Sequence, residues 1–190
     1  MAININPGSP LRLLSVIGSS GNWTAPANTN VAFVSLHGAS GGGGNMGRYQ
    51  SAPNGTTGGG GIIAGAWVQV TPSATHAVVV GAGGAAGAAI NSPGINTGAT
   101  GGSTSFDGNS FIAYGGIGGS RYVGNGGSAA GATTLSTLPP SNLAIPKTGT
   151  ITSQLTGGTT GGSSSGTSTP RYGNANGAGA GQAGSVYIYT

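Results

Sequence analysis

Residues 64–87, AGAWVQVTPSATHAVVVGAGGAAG, contain both kinds of segment from which the whole chain is built. Two apolar runs of strand length flank a Thr-Pro-Ser-Ala turn, and the second run passes directly into glycines. In the first run Ala66, Val68 and Val70 alternate with Trp67 and Gln69, the period of two that sends successive side chains to opposite faces of a sheet. The second run, residues 76–80, is nearly all apolar and is expected to be covered on both faces. Pro72 fixes its own φ and lacks an N–H, so it belongs in the turn, and the two runs read as a β-hairpin. The glycines decide what can follow, because a residue without a side chain fills no core and weakens a helix, yet lets backbones approach closely.

Glycine occurs 43 times in 190 residues and proline 10 times, a level that in most chains marks low complexity or disorder. The charge that usually accompanies disorder is missing, since only 3% of residues are charged. Ordering such a backbone costs about 1–2 kcal/mol per residue, and large apolar side chains are too scarce to offset this alone. The chain is therefore expected to depend on tight backbone packing, on homo-oligomerisation, or on both. Glycines three apart, as at Gly38, Gly41, Gly44 and Gly47 or at Gly81, Gly84 and Gly87, suit polyproline-II-like segments, which turn once in three residues. Over the whole chain that period is weak.

Further strands are expected at residues 11–17, 31–37, 103–106, 111–114 and 186–189, with Asp107-Gly108-Asn109-Ser110 as a hairpin turn. No stretch has a helical period. The expected fold is all-β: a small antiparallel β-sandwich or barrel with long glycine-rich, polyproline-II-like crossovers. Residues 1–22 form an N-terminal arm and first strand, and residues 23–190 a glycine-rich β domain with a Ser/Thr/Pro-rich insertion at 132–170.

Several functions are disfavoured by what the chain lacks. Gly81, Gly83 and Ala86 follow a strand at the spacing of a dinucleotide fingerprint, but no helix follows them and no acidic residue stands downstream to hold a ribose. Asp107 is the single carboxylate side chain, and there is no Glu or Cys. Paired-carboxylate chemistry within one chain and cysteine nucleophiles are thereby excluded. His37 or His76 with Asp107 could in form serve a Ser-His-Asp triad or a metal site, but no local spacing supports either. The reading is of a non-enzymatic protein with no cofactor and no metal. Its basic residues, Arg12, Arg48, Arg121, Lys147 and Arg171, are scattered, which argues against nucleic acid as a partner. No apolar run is long enough to insert in a membrane, and the first residues lack the pattern of a cleaved secretion signal. Trp23 and Trp67 are expected in the core.

One pattern stands outside these exclusions. Arg48-Tyr49, Arg121-Tyr122 and Arg171-Tyr172 are three Arg-Tyr pairs, each in or beside a glycine-rich stretch. They have two physical uses: bridging backbone carbonyls left without sheet partners, or forming a binding surface for a glycan or a neighbouring protein.

Taken in order, Trp23-Thr-Ala-Pro26, residues 31–36, the Gly41–Gly44 run, residues 67–72, Val79-Val-Gly-Ala-Gly-Gly84, residues 103–106, 115–119 and 184–188 resemble the glycine-rich domain of bacteriophage tail-fibre and other virion surface proteins. The resemblance covers most of residues 20–190, with the insertion at 132–170 departing from it. It implies a structural component of the virion particle surface, of the fibre, spike or decoration type, that attaches to the host or holds neighbouring virion proteins. Its implied partners are other virion proteins, a host cell-surface glycan and further copies of itself, as a trimer. Two alternatives remain: an ice-binding-like binder of flat surfaces and a glycan hydrolase.

Overall fold

The computed structural model describes residues 12–46, 58–88, 95–107, 111–119 and 179–190. These contain no helix and ten strands: β1 Leu13–Ile17, β2 Gly21–Thr24, β3 Val31–His37, β4 Asn45–Met46, β5 Ile63–Gln69, β6 Thr75–Val79, β7 Ile95–Asn96, β8 Thr104–Phe106, β9 Phe111–Ala113 and β10 Ser185–Tyr189. Two four-stranded antiparallel sheets result, one in the order β1-β10-β3-β5 and the other β2-β6-β8-β9, with β4 and β7 paired apart. β3 packs over β8 and β9, and β5 over β9, so the all-β fold is a sandwich and not a barrel. Its first strand belongs to the body, because β1 pairs with β10 at the far end of the chain.

Alternation builds the core. Ala32, Val34 and Leu36 from β3, Ala64, Ala66 and Val68 from β5, and Val186 and Ile188 from β10 point inward, against Trp23, Val78, Phe106, Phe111 and Ala113 of the other sheet. Two expectations about the central stretch need correction. β5 and β6 are not a hairpin, for β5 pairs with β3 in one sheet and β6 with β2 and β8 in the other. The Thr71–Ala74 turn lifts the chain from sheet to sheet. It is closed by Ala74 N donating to Thr71 O at 3.0 Å, with Ser73 at a φ of 62° in the position where a type II turn needs φ above zero. Nor is β6 covered on both faces: His76 and Val78 are buried, whereas Val79 is 49% exposed. Its apolar run overstates its cover, because Thr75, Ala77 and Val79 alternate outward and stay exposed.

The glycine runs carry the strands onward as six extended segments, 38–44, 58–62, 81–87, 98–102, 115–119 and 179–184. The first leaves β3 and the second returns to β5; the third leaves β6 and the fourth returns to β8; the fifth leaves β9 and the last returns to β10. Their hydrogen bonds identify the conformation. Along 38–43 successive N–H groups donate to Ile62, Gly102, Gln182, Gly59, Ala99 and Gly179, so three neighbours are visited in rotation and each is met again three residues later. That is the threefold turn of polyproline II, here with backbone groups satisfied between segments, since within one such helix none can be. Carbonyls of the same segment accept from two more neighbours: those of Ala39 and Gly42 from Gly116 and Gly119, and those of Ser40 and Gly43 from Gly84 and Gly87. The 38–44 segment is thus the buried axis of a bundle.

Glycine is required in this bundle for space. A Cβ at Gly38 would strike Tyr114 O, at Gly41 Ile117 O, and at Gly84 both Ala99 O and the Gly42 nitrogen, and at none of these does φ lie in the left-handed region. At Gly84 the requirement is therefore one of packing and not of φ. Gly84→Val should cost about 2–3 kcal/mol or more by overpacking, lowering the melting temperature by roughly 5–10 °C. Gly18→Val, where a Cβ would meet nothing within 4 Å, should change it little. Equal melting temperatures for the two variants would refute the packing account.

Candidate interaction surface

The inward alternation of the first sheet leaves an outer face that is unusually aromatic. In strand register, Leu13, Tyr189, Phe33 and Trp67 lie in one row across β1, β10, β3 and β5, and Val16, Tyr187, Ser35 and Gly65 in the next. The Phe33 ring meets Trp67 edge-on with centroids 5.5 Å apart, and Tyr189 at 6.1 Å. Gly65 makes this possible: a Cβ there would sit 2.7 Å from Phe33 Cζ, so the ring lies over bare backbone. Trp67, expected in the core, is instead half-buried on this outer face; its sequence neighbours Ala66 and Val68 take the inward positions. Leu13, Leu14 and Val16, exposed by 48%, 42% and 55%, extend the apolar surface along the β1 edge. No described residue of the face carries a formal charge at pH 7, where His37 is neutral.

His37 closes the face on the bundle side. Its ring stands 4.8 Å from that of Tyr187, and its Nε2 lies 3.4 Å from Ser35 Oγ. Partial burial lowers its pKa below the ordinary value of 6.5. His76 is in the other sheet and points inward, so the two histidines do not share a site. It lies between Trp23, 5.7 Å away, and Phe106, stacked at 5.3 Å, with Nδ1 3.4 Å from Asp107 Oδ2. Sequence spacing could not reveal this pair, which the 78↔106 register between β6 and β8 brings together. Asp107 also takes a φ of 53° as β8 ends, the turn-shaping use expected of it. Among the described residues no three His, Cys, Asp or Glu side chains meet.

Arg48, Tyr49, Arg121, Tyr122, Arg171 and Tyr172 lie outside the described residues, as does the insertion at 132–170. The aromatic face was missed because it is spread over four strands far apart in sequence. Its one local signal is the alternation of aromatic with small apolar residues in Val186-Tyr187-Ile188-Tyr189 and around Trp67.

An all-β sandwich prolonged by a hydrogen-bonded bundle of glycine segments defines a glycine-rich β domain. The family model of a glycine-rich domain matches residues 15–189, and the chain belongs to that family. No curated protein matches it in sequence.

His37 gives the surface a pH dependence whose sign is fixed. With the folded pKa below the unfolded one, the unfolded state takes up the proton first as pH falls, so stability declines from about pH 6.5 downward until the folded pKa is passed. Melting temperatures measured across that window should fall more for the native chain than for His37→Gln. Parallel curves would show that His37 contributes nothing.

Proposed function

We propose that this chain is a non-enzymatic structural protein of a virion, of the fibre, spike or decoration type, which attaches to the host surface or joins neighbouring virion proteins. The observation that carries the reading is the outer face of the first sheet, a contiguous aromatic and aliphatic surface without formal charge at pH 7. Such a surface combines the aromatic enrichment and charge depletion typical of the core of a protein interface. Membership of the glycine-rich family and the ordered resemblance to virion surface proteins support the setting. The bundle supports a spacer role: segments alternate in direction, so residues 44, 58, 87, 98, 119 and 179 end at the pole away from the sheets. Arg12 and Thr190, hydrogen-bonded through both backbones at 3.0 Å, mark the β1–β10 edge of the sheet. A protein partner docks on the aromatic face while the rigid bundle holds its far pole away. Homo-oligomers and a host glycan are further partners in this reading.

A second reading, binding to a flat repeating surface such as ice, has one observation in its favour. The outer positions of three neighbouring segments recur every third residue, as exposed Ala82, Ala85 and Ala88, then Thr97, Thr100 and Ser103, then half-buried Tyr114 and exposed Ile117. Backbone bonds from Ala99 to Ala85 and from Gly101 to Gly116 set them side by side.

Purified particles separate the readings. The first expects the chain at fixed stoichiometry in virions, and loss of incorporation or attachment by at least tenfold in Trp67→Ala/Tyr189→Ala with folding retained. Absence from particles would overturn it, and absence combined with thermal hysteresis in the free protein would favour the second.

A further inference from the structure

Among the described residues, β5 is an edge strand without any of the usual protections. It spans seven residues, IAGAWVQ, pairs with β3 in unbroken register, and contains no charged residue, proline or bulge. The opposite edge of the same sheet, β1, is five residues long and interrupted between Leu13 and Ser15. Short or bulged edges resist pairing, whereas a long regular uncharged edge is a template for another strand.

The ladder shows which groups are on offer. Val70 N donates to Asn30 O and Gly38 N to Ile62 O, so the even-numbered residues of this strand face β3. The N–H and C=O groups of Ile63, Gly65, Trp67 and Gln69 therefore point outward. None of the four makes a hydrogen bond to another described segment along that edge.

We propose that this edge takes β5 of a second copy of the chain, antiparallel, about a two-fold axis beside Ala66. Ile63 then faces Gln69 and Gly65 faces Trp67, all four outward-pointing residues, and each such pair exchanges two backbone bonds. Self-pairing fits this strand better than a foreign one for two reasons. The bulky Trp67 of each copy faces Gly65 of the other, and the Phe33 ring that lies over that glycine, which avoids opposed tryptophans. The strand also carries no charge, so identical edges do not repel although the chain has a net charge of +4. The two outer aromatic faces merge into one surface across the axis. Pairing is closed within this sheet, because it consumes the regular edge of each copy and leaves that sheet only the bulged one. Seven residues give roughly 23 Å of edge, well short of a standard interface, so association is reversible and micromolar rather than nanomolar. The result is a two-fold pair, where the resemblance in sequence implies a trimer. It does not depend on the virion reading, since the edge pairs in free solution whether or not the chain enters particles.

Sedimentation velocity of the full chain from low micromolar to several hundred micromolar tests this. The native chain should rise from 17.8 kDa toward twice that mass, with the amides of Gly65 and Trp67 gaining exchange protection as concentration rises. Ile63→Lys, which places a charge beside the edge, and Gln69→Pro, which removes an outward N–H, should stay monomeric with melting temperatures near native. A native chain that is monomeric throughout, a trimer, variants that associate as well as the native chain, or Gly65 and Trp67 amides whose exchange ignores concentration would each overturn the proposal.

Discussion

The structure depends on one interaction repeated in rotation: a backbone N–H of one glycine segment meeting a backbone C=O of another, with the direction turning by a third of a revolution at each residue. Six consecutive donors in residues 38–43 reach three neighbours in this way, and carbonyls of Ala39, Ser40, Gly42 and Gly43 return bonds to two more. An isolated polyproline-II helix has no internal hydrogen bonds, and ordering glycine costs about 1–2 kcal/mol per residue. A net gain of about 0.5–1.5 kcal/mol per bond offsets this only if most residues both donate and accept. Bundling is therefore a condition of order, and the axial segment satisfies it best.

Close approach then governs the rest of the domain. Packed sheets stand about 10 Å apart and need side chains between them, whereas the glycine layers are joined directly by backbone bonds. Small Ala64, Thr104 and Ala113 lie where their strands near the bundle, yet fully buried Leu36 stands at that end too, so the close approach is made by the glycine segments themselves. At the seam the buried Thr104 hydroxyl accepts from Gly81 N at 3.1 Å. Ser40, deeper in the bundle, accepts through Oγ from Gln182 N at 2.6 Å, so even the few side chains inside serve backbone groups.

Much of this was legible in the sequence and some was not, for physical reasons. The longer strands followed from alternation and strand-forming composition, 31–37 to the residue because a polar turn and Gly38 bound it, whereas β2, β4 and β7 carry no such signal. The β5–β6 connection reads as a hairpin because a tight turn between two strands looks the same whether they pair or change sheets; only the partners distinguish the cases. By size Trp67 belongs in the core, although its own alternation sets it opposite Ala66 and Val68. The weak glycine period has a simple origin: the required pairs, such as Gly38 and Gly41, Gly58 and Gly61, or Gly115 and Gly118, are three apart, while outer positions accept glycine, alanine or threonine freely and blur the count. The aromatic face and the His76–Asp107 contact arise from long-range register, which no local spacing encodes. The Arg-Tyr pairs, the most distinctive pattern in the sequence, lie outside the described residues.

The central claim is that glycine segments are held by rotating backbone bonds, and scalar couplings across hydrogen bonds, measured by NMR, test it most directly. Coupling from the nitrogens of residues 38–43 should appear, in turn, at the carbonyl carbons of Ile62, Gly102, Gln182, Gly59, Ala99 and Gly179. Couplings from alternate residues to a single neighbour would mean ordinary strand pairing, and their absence with rapid amide exchange would mean that the bundle does not form.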